Sequence, residues 1–193
     1  VDQRVPIFGF VGRLVDQKGI DLLAAAIEDM AKERWQLVVL GTGEEDHHRA
    51  LQIFRKRHPE HFGLNIAYDP FMAKQIYAGA DFFLTPSRYE PCGLGPMIAL
   101  RFGTVPIVRE TGGLADTVRE FNPKTGYGNG FLFSDYHSKE LFKAMRRAVG
   151  VYQHQKAWSR LVHNAMACDF SWASSARRYA TVYERTERKP LKV

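Results

Sequence analysis

The chain has 193 residues, of which 45% are hydrophobic and 25% are charged, a balance typical of one globular domain rather than of a disordered chain. No apolar run approaches the roughly 20 residues that a transmembrane helix needs, so no membrane partner is expected. The two cysteines, Cys92 and Cys168, lie far apart in the sequence, which argues against a disulfide scaffold and favours a reducing compartment.

The net charge of +6 raises the possibility of nucleic-acid binding. The basic residues are nevertheless spread along the chain, apart from a cluster near its end that contains Arg177, Arg178, Arg185, Arg188, Lys189 and Lys192. The sequence has no ribonucleoprotein aromatic motif and no zinc knuckle. We therefore favour a positive field that attracts an anionic nucleotide, and we expect no nucleic-acid partner.

Short apolar runs predict six strands, because a buried parallel strand is apolar over its whole length. These strands are predicted at residues 5–11, 36–40, 64–68, 82–84, 105–108 and 130–133. Apolar residues at helical spacing predict helices between them at residues 20–30, 44–57, 72–78, 95–101 and 114–120. Two further apolar helix faces follow within 141–149 and 158–165, and Ser171 is a good N-cap for a last helix.

This regular alternation of strand and helix predicts an α/β fold with a Rossmann-like, mainly parallel sheet and helices on both faces. Residues 1–187 are assigned to one domain, which ends in a C-terminal helical segment at 168–187. Residues 188–193 are expected to be a disordered tail. Because the first residue is Val1 rather than a methionine, we expect the chain to be a fragment of a longer protein.

The stretch from Thr85 to Leu94 lies between the fourth strand and the next helix. A helix that starts at Gly93 offers unpaired backbone N–H groups and a positive dipole end to an anion, and glycine lets the backbone approach that anion closely. The carboxylate of Glu90 would repel a phosphate at this place, so we expect it to accept hydrogen bonds from hydroxyl groups. A phosphate and a polyol side by side indicate a sugar nucleotide.

The segment 87–94, Ser-Arg-Tyr-Glu-Pro-Cys-Gly-Leu, resembles the Glu-Pro-Cys-Gly-Leu segment of bacterial glycogen synthases and plant starch synthases. Further motifs occur in that family's order: Gly12-Arg13-Leu14, Lys18-Gly19, Tyr68 and Thr111-Gly112-Gly113-Leu114. The resemblance covers nearly the whole chain but only the C-terminal half of the family's protein. It implies the donor-binding domain of a two-domain GT-B glycosyltransferase, with 168–187 crossing to the missing N-terminal domain.

The activity implied by the resemblance is transfer of glucose from ADP-glucose or UDP-glucose to the non-reducing end of an α-1,4-glucan, with retention of configuration. The domain is expected to be inactive alone, because the missing half supplies the acceptor contacts. The resemblance also implies a cytoplasmic location in a bacterium, or a plastid in a plant. Two alternatives stay open: a related glycosyltransferase with another sugar or acceptor, and a sugar-nucleotide-binding module without catalysis.

Three residues are predicted to be catalytic. Arg13 and Lys18 flank the loop after the first strand, where two cations can hold a diphosphate and stabilise it as it leaves. On spacing alone they are equally well explained as solvated loop cations, and the resemblance is what implies the diphosphate contact. It also implies that Glu90 contacts the transferred sugar near the reacting carbon.

Seven more residues are predicted to bind substrate: Tyr68, Cys92, Gly93, Leu94, Thr111, Gly112 and Gly113. The resemblance implies that Tyr68 stacks on adenine, and the Thr-Gly-Gly turn would point backbone N–H groups at the diphosphate. Cys92 is interpreted as a small packing or hydroxyl-lining residue rather than a nucleophile, because no histidine lies near it in the sequence.

Two histidine pairs, His47-His48 and His58/His61, resemble metal-binding spacings. Pro59 interrupts the second pair, and no cysteine or carboxylate pattern in the sequence completes a site, so we interpret these histidines as surface residues. We expect no metal and no cofactor. The expected partners are a nucleotide sugar and, through the missing domain, an α-1,4-glucan.

Overall fold

The structure is a computed structural model that describes residues 5–30 and 34–187. The predicted disorder of residues 188–193 lies outside the described residues. The strands are β1 (Ile7–Val11), β2 (Gln36–Gly41), β3 (Phe62–Ile66), β4 (Phe82–Thr85), β5 (Val105–Arg109) and β6 (Phe131–Phe133). The α-helices are α1 (Ile20–Met30), α2 (Glu45–Arg57), α3 (Pro70–Gly79), α4 (Leu94–Phe102), α5 (Gly113–Thr117), α6 (Ser138–Tyr152), α7 (Gln155–Met166) and α8 (Trp172–Glu187).

The six strands form one sheet in the order β3-β2-β1-β4-β5-β6, and every neighbouring pair is parallel. This confirms the predicted parallel sheet. The chain starts in the middle at β1, proceeds outwards to β3, and then returns to place β4 on the other side of β1. The strand order therefore reverses between β1 and β4, and the crevice at the carboxyl ends of these two strands is where open α/β sheets bind ligands.

Alternate residues of the strands serve two cores, because successive side chains of a strand point to opposite faces of the sheet. Phe82 and Leu84 of β4 pack into the larger core, to which α1, α2, α6 and α7 contribute. Phe83, between them, packs against Tyr77 of α3 and Ala99 of α4 on the opposite face. The sheet is therefore covered on both faces, as the alternation of elements predicted.

Strand β3 lies two residues earlier than its predicted bounds. Phe62 belongs to the strand because its ring packs edge-on against the Phe54 ring of α2, with the centroids 5.1 Å apart. The backbone pairing also begins early, since the N–H of Leu37 donates to the carbonyl of His61 at 2.8 Å. Tyr68 consequently lies in the loop beyond the strand rather than at its last position.

Helix α3 starts before its predicted first residue because of a local capping signal. The side chain of Asp69 accepts hydrogen bonds from the backbone N–H groups of Phe71 and Met72, both at 2.9 Å. Pro70 occupies the first helical position, where its missing N–H has no cost and its fixed φ suits the helix. The Asp-Pro pair therefore moves the start of the helix to residue 70.

Helix α5 is shorter than the predicted 114–120. Val118 is in an extended conformation, and the carbonyl of Arg119 accepts hydrogen bonds from the N–H groups of Asn129 at 3.0 Å and Gly130 at 3.1 Å. Pairing with this distant segment competes with the helix, so the helix ends at Thr117.

The last helix, α8, makes little contact with the rest of the domain. Ser171 caps it as predicted, since its hydroxyl accepts a hydrogen bond from the N–H of Ser174 at 3.2 Å. None of its described side chains is buried, and Trp172 is 89% exposed. Among the described residues, no helix combines the length and apolar character needed to cross a lipid bilayer.

The close approach of the loop after β1 to the turn after β4 depends on Gly19. Its φ is +72°, and a Cβ there would lie 2.1 Å from the carbonyl oxygen of Pro86. We expect Gly19→Ala to lower the free energy of unfolding by about 2–4 kcal/mol, because it adds left-handed backbone strain and forces two backbones apart. Urea unfolding followed by circular dichroism measures this difference.

The matched control is Gly150→Ala within α6, where a Cβ meets nothing within 4 Å. This change should raise the free energy of unfolding by about 0.5–1 kcal/mol, because alanine is the better helix former. A Gly19→Ala variant that is as stable as Gly150→Ala would contradict the proposed close approach.

Candidate functional site

A cavity of about 380 Å³ lies at the carboxyl ends of β1 and β4, where the strand order reverses. Its walls come from the ends of both strands, from Lys18 and from the turn that leads into α4, and the lining includes residues 10–12, 83–85 and 90–96. The cavity therefore lies at the position that the sheet topology predicts for a ligand.

Glu90 is the buried charge of this cavity. It is 8% exposed, and its Oε2 atom receives hydrogen bonds from Lys18 Nζ at 2.5 Å and from Ser87 Oγ at 3.1 Å. The ammonium compensates a carboxylate that would otherwise be costly to bury. Both bonds go to Oε2, so within the described residues Oε1 retains its capacity to accept a hydrogen bond from a ligand hydroxyl.

Gln17 connects Arg13 to the turn that carries Glu90. Its carbonyl accepts a hydrogen bond from the N–H of Arg88 at 2.8 Å, and its Nε2 donates to the carbonyl of Tyr89 at 3.2 Å. Its Oε1 accepts from Nη2 of Arg13 at 3.1 Å. Arg13 is thus linked to the turn through Gln17, and Lys18 lines the first cavity.

Sequence reasoning did not identify Ser87 and Gln17, although both are neighbours of predicted site residues. Ser87 is fully buried three residues before Glu90, and that spacing was the available signal. Thr85 was also not predicted as a site residue. It lines the cavity, and its buried hydroxyl has no hydrogen-bond partner among the described residues. A buried unpaired hydroxyl in a cavity wall is a ready partner for a ligand or a water molecule.

Gly112 and Gly113 pack against the back of the Glu90 turn. The N–H of Gly113 donates to the carbonyl of Glu90 at 3.0 Å, and a Cβ at Gly112 would lie 2.2 Å from that same oxygen. The N–H of Thr111 donates to the carbonyl of Arg109 at 2.9 Å. The N–H groups of Gly113 and Thr111 are therefore engaged inside the chain, and the predicted contact of this segment with a diphosphate stays a prediction.

The start of α4 faces the cavity. Gly93 has a φ of +83° and is the N-cap, which leaves the first N–H groups of the helix without intrahelical acceptors. Pro96, also in this first turn, offers no N–H. The side chains of Cys92 and Leu94 are exposed beside this helix start, and both residues line the cavity, so the packing or hydroxyl-lining role of Cys92 stays a prediction.

A second cavity of about 540 Å³ adjoins the first, and the two share Val11 and Gly12 in their walls. Arg13 and Tyr68 both line the second cavity, and 87% of the Tyr68 surface is exposed. The walls are mostly apolar, and an exposed phenol ring offers a face for stacking. The pair of cavities can therefore hold an aromatic base in one part and a polar group in the other.

The histidines are less uniformly exposed than predicted. His47 is half-buried, with its Nε2 atom 3.0 Å from Asp16 Oδ1 and 3.5 Å from Glu44 Oε2. The fold thus brings two carboxylates to this histidine, although the sequence spacing gave no such pattern. His58 packs its ring against Phe54, with centroids 4.6 Å apart. His47 and His58 thus lie against other groups of the protein, and the absence of a metal remains an expectation.

Comparison with known proteins places these features in context. The profile of the family described as "Glycosyl transferases group 1" matches residues 1–163. The glycogen synthase of Fervidobacterium nodosum is 48% identical over 188 residues, which cover 97% of this chain and 39% of that protein. The glycogen synthase of Kosmotoga olearia is 50% identical over 180 residues, covering 93% of this chain and 38% of that protein. The chain therefore spans about two fifths of the curated relatives that it matches.

Among solved structures, the catalytic domain of starch synthase IV from Arabidopsis thaliana, bound to ADP and acarbose, superposes with a TM-score of 0.87 at 36% identity. The match covers 98% of this chain and 40% of that one. The C-terminal domain of a glycosyl transferase group 1 protein from Francisella tularensis shares the fold, with a TM-score of 0.64 at 18% identity over 86% of each chain.

The hydrogen bond from Ser87 to Glu90 should contribute measurably to stability because it is buried and its acceptor is charged. We expect Ser87→Ala to lower the free energy of unfolding by about 1.5–3 kcal/mol. Ser134→Ala is the matched control, since Ser134 donates a similar bond to Glu110 at 3.0 Å on the exposed surface. The control should cost less than about 1 kcal/mol. Equal losses in urea unfolding would contradict the buried geometry of Glu90.

Proposed function

The chain belongs to the glycosyl transferase group 1 family, and on that basis we propose that it is the donor-binding domain of a retaining glucosyltransferase. The proposed reaction transfers glucose from ADP-glucose, or from UDP-glucose, to the non-reducing end of an α-1,4-glucan. The relatives at 48–50% identity bear the name glycogen synthase, which supports this substrate class. The starch synthase of similar fold was solved with ADP, which favours an adenine nucleotide.

The observation that carries the proposal is the pair of adjoining cavities at the reversal of the strand order. We assign the base to the apolar cavity, against Tyr68, and the glucose to the cavity that contains Glu90. The diphosphate then lies between them, near the shared Gly12 wall, the Arg13 guanidinium and the start of α4. This order of groups matches the order of base, diphosphate and sugar along a nucleotide sugar.

The proposed chemistry follows from these charges. When the bond between the glucose C1 atom and the diphosphate breaks, negative charge grows on the leaving diphosphate and positive charge grows on the sugar. Arg13 and Lys18 stabilise the first, and the carboxylate of Glu90 stabilises the second. The ammonium of Lys18 has three N–H groups, so it can keep its bond to Glu90 and still donate to a phosphate oxygen. The glucan hydroxyl forms the new bond to C1, and its proton leaves with the diphosphate.

This charge arrangement supports a site that works without a metal ion or another cofactor. The diphosphate meets two cationic side chains and the positive end of a helix within one crevice. Thr111, Gly112, Cys92 and Leu94 are retained as proposed substrate contacts beside them.

The acceptor glucan is proposed to bind through an N-terminal domain that is absent from this chain. Helix α8 offers a surface for that domain, because its aromatic residues Trp172, Tyr179 and Tyr183 are all exposed. We therefore propose that 168–187 crosses to the missing domain and that the chain alone does not elongate glucan. Two free thiols, Cys92 and Cys168, are compatible with the proposed cytoplasmic location.

The first experiment titrates the chain with ADP, UDP and ADP-glucose by isothermal calorimetry. We expect ADP to bind, and we expect Arg13→Ala/Lys18→Ala to weaken it by at least about 100-fold, because two charge-assisted hydrogen bonds are lost and each is worth about 1.5–3 kcal/mol. The control Lys156→Ala/Arg160→Ala removes the same charge from exposed positions on α7, away from both cavities. It should leave ADP affinity within about twofold, because solvent and salt screen distant charges.

Two tyrosine variants in the same titration test the base position. Tyr68→Ala should weaken ADP about fivefold or more through loss of stacking, whereas Tyr183→Ala on α8 should not. Tighter binding of UDP than of ADP would support the proposed site but indicate UDP-glucose rather than ADP-glucose as the donor. A folded wild-type chain that binds no nucleotide would contradict the donor-domain proposal.

The role of Glu90 is tested in a fusion protein. It joins this chain to the N-terminal part of the Fervidobacterium nodosum glycogen synthase, for which this chain has no counterpart. Glucan elongation from ADP-glucose should fall about 10²–10³-fold in Glu90→Gln, because the stabilising carboxylate charge is lost in the transition state. The affinity for ADP should change less than about twofold, because Glu90 faces the sugar. Unchanged turnover with normal folding would remove Glu90 from the mechanism.

A further inference from the structure

Three side chains from separate parts of the chain meet beside the Glu90 turn. The guanidinium of Arg88 lies over the ring of Tyr136, 4.2 Å from its centroid, and Nη2 of Arg88 lies 3.5 Å from Oδ2 of Asp21. The hydroxyl of Tyr136 donates a hydrogen bond to Oδ1 of the same aspartate at 2.6 Å. The three groups therefore form a closed triangle of contacts between the turn, the start of α1 and the segment after β6.

Arg109, at the end of β5, ties this triangle to the sheet. Its Nη1 donates to the carbonyl of Arg88 at 2.6 Å, and its Nε donates to the carbonyl of Ser134 at 3.0 Å. Its guanidinium also lies 5.6 Å from the centroid of the Tyr136 ring. Two cations thus share one aromatic ring, an arrangement in which the ring and the nearby carboxylate offset their mutual repulsion.

These contacts fix the main chain just before Glu90. The N–H of Arg88 donates to Gln17, and the carbonyl of Arg88 accepts from Arg109, so both of its backbone polar groups are held. Glu90 follows two residues later. Burial is the largest cause that raises the pKa of Tyr136, to about 12, and the hydrogen bond to Asp21 is the next largest. The hydroxyl is therefore protonated near neutral pH and can donate its hydrogen bond.

We propose that Tyr136 and Arg109 are positioning residues that set the Glu90 carboxylate for the transferred sugar and act through Arg88. Arg88, Arg109 and Tyr136 line neither of the two cavities, so no direct contact with the nucleotide sugar is assigned to them. The inference rests on the proposed function, because that function assigns the sugar to Glu90. The inference adds that Tyr136, in the segment after β6, influences the affinity for the sugar.

The test compares the affinities of the chain for ADP and for ADP-glucose by calorimetry, because their ratio isolates the contribution of the sugar. The wild-type chain should prefer ADP-glucose. Tyr136→Leu, which removes both the hydroxyl and the ring face, should reduce this preference about fivefold with ADP affinity within about twofold. Tyr136→Phe keeps the ring and should reduce the preference for ADP-glucose less than Tyr136→Leu does. Arg109→Gln should behave like Tyr136→Leu.

A double-mutant cycle shows whether the effect passes through Glu90. In a Glu90→Gln background, Tyr136→Leu should change the preference for ADP-glucose by less than about 1.5-fold, because the carboxylate that it positions is already neutralised. Additive losses would overturn the inference. Tyr152→Leu is the stability control, since Tyr152 is a half-buried tyrosine that packs against Trp158 away from the site. It should lower the thermal midpoint while the ligand preference stays unchanged.

The remaining outcomes distinguish failure of the positioning role from failure of the proposed function. A Tyr136→Leu variant that loses ADP and ADP-glucose affinity in equal proportion shows only a structural role and overturns the inference. A wild-type chain that binds ADP without preferring ADP-glucose also overturns it but leaves the nucleotide site in place. A folded chain that binds neither ligand overturns the proposed function, and the inference with it.

Discussion

The ion pair between Lys18 and Glu90 is the interaction on which the rest of the site depends. An uncompensated carboxylate with 8% exposure would cost several kcal/mol, and the ammonium at 2.5 Å, with the hydroxyl of Ser87, offsets that cost. The two residues are 72 positions apart in the chain. Their pairing joins the loop after β1 to the turn after β4, across the crevice where the strand order reverses.

That pairing is possible only because the backbones around it come unusually close. At Gly19 the chain passes the carbonyl of Pro86, and at Gly112 it passes the carbonyl of Glu90, with no room for a side chain at either place. The turn is thus packed against main chain at both glycines. This backbone packing leaves the turn few alternative positions, and the side chains of Gln17 and Arg109 hold it further through hydrogen bonds to its carbonyl groups.

Under the proposed function, the neutralised pair also explains how a carboxylate can lie beside a diphosphate. Lys18 removes most of the repulsion that Glu90 alone would exert, while Oε1 remains open to hydroxyl groups of a sugar. Arg13 adds a second cation in the wall of the apolar cavity, which also contains Tyr68. Under the proposed function, the three parts of a nucleotide sugar therefore meet three chemically different environments in one continuous crevice.

The sequence by itself determined the α/β class, the order of the elements and most of their bounds. Apolar strands, helical periodicity and caps such as Ser171 are local properties, which can be predicted from a short stretch of sequence. The motifs around Arg13, Lys18, Tyr68 and Glu90 all follow predicted strands, so their common location at one edge of the sheet could be predicted, because the carboxyl ends of parallel strands lie at the same edge. The bounds of β3 and α5 were misplaced, since the packing of Phe62 and the pairing of Arg119 involve distant residues.

Only the tertiary structure decided which of these residues meet. No spacing in the chain indicates that Lys18 bonds to Glu90, that Gln17 links Arg13 to the turn, or that Tyr136 shares Asp21 with Arg88. The same holds for His47 of α2, whose carboxylate neighbour Asp16 comes from the loop after β1. Contacts of this kind depend on distances of a few ångströms between elements, and those distances are set by the packing of the whole sheet and its helices rather than by any short segment.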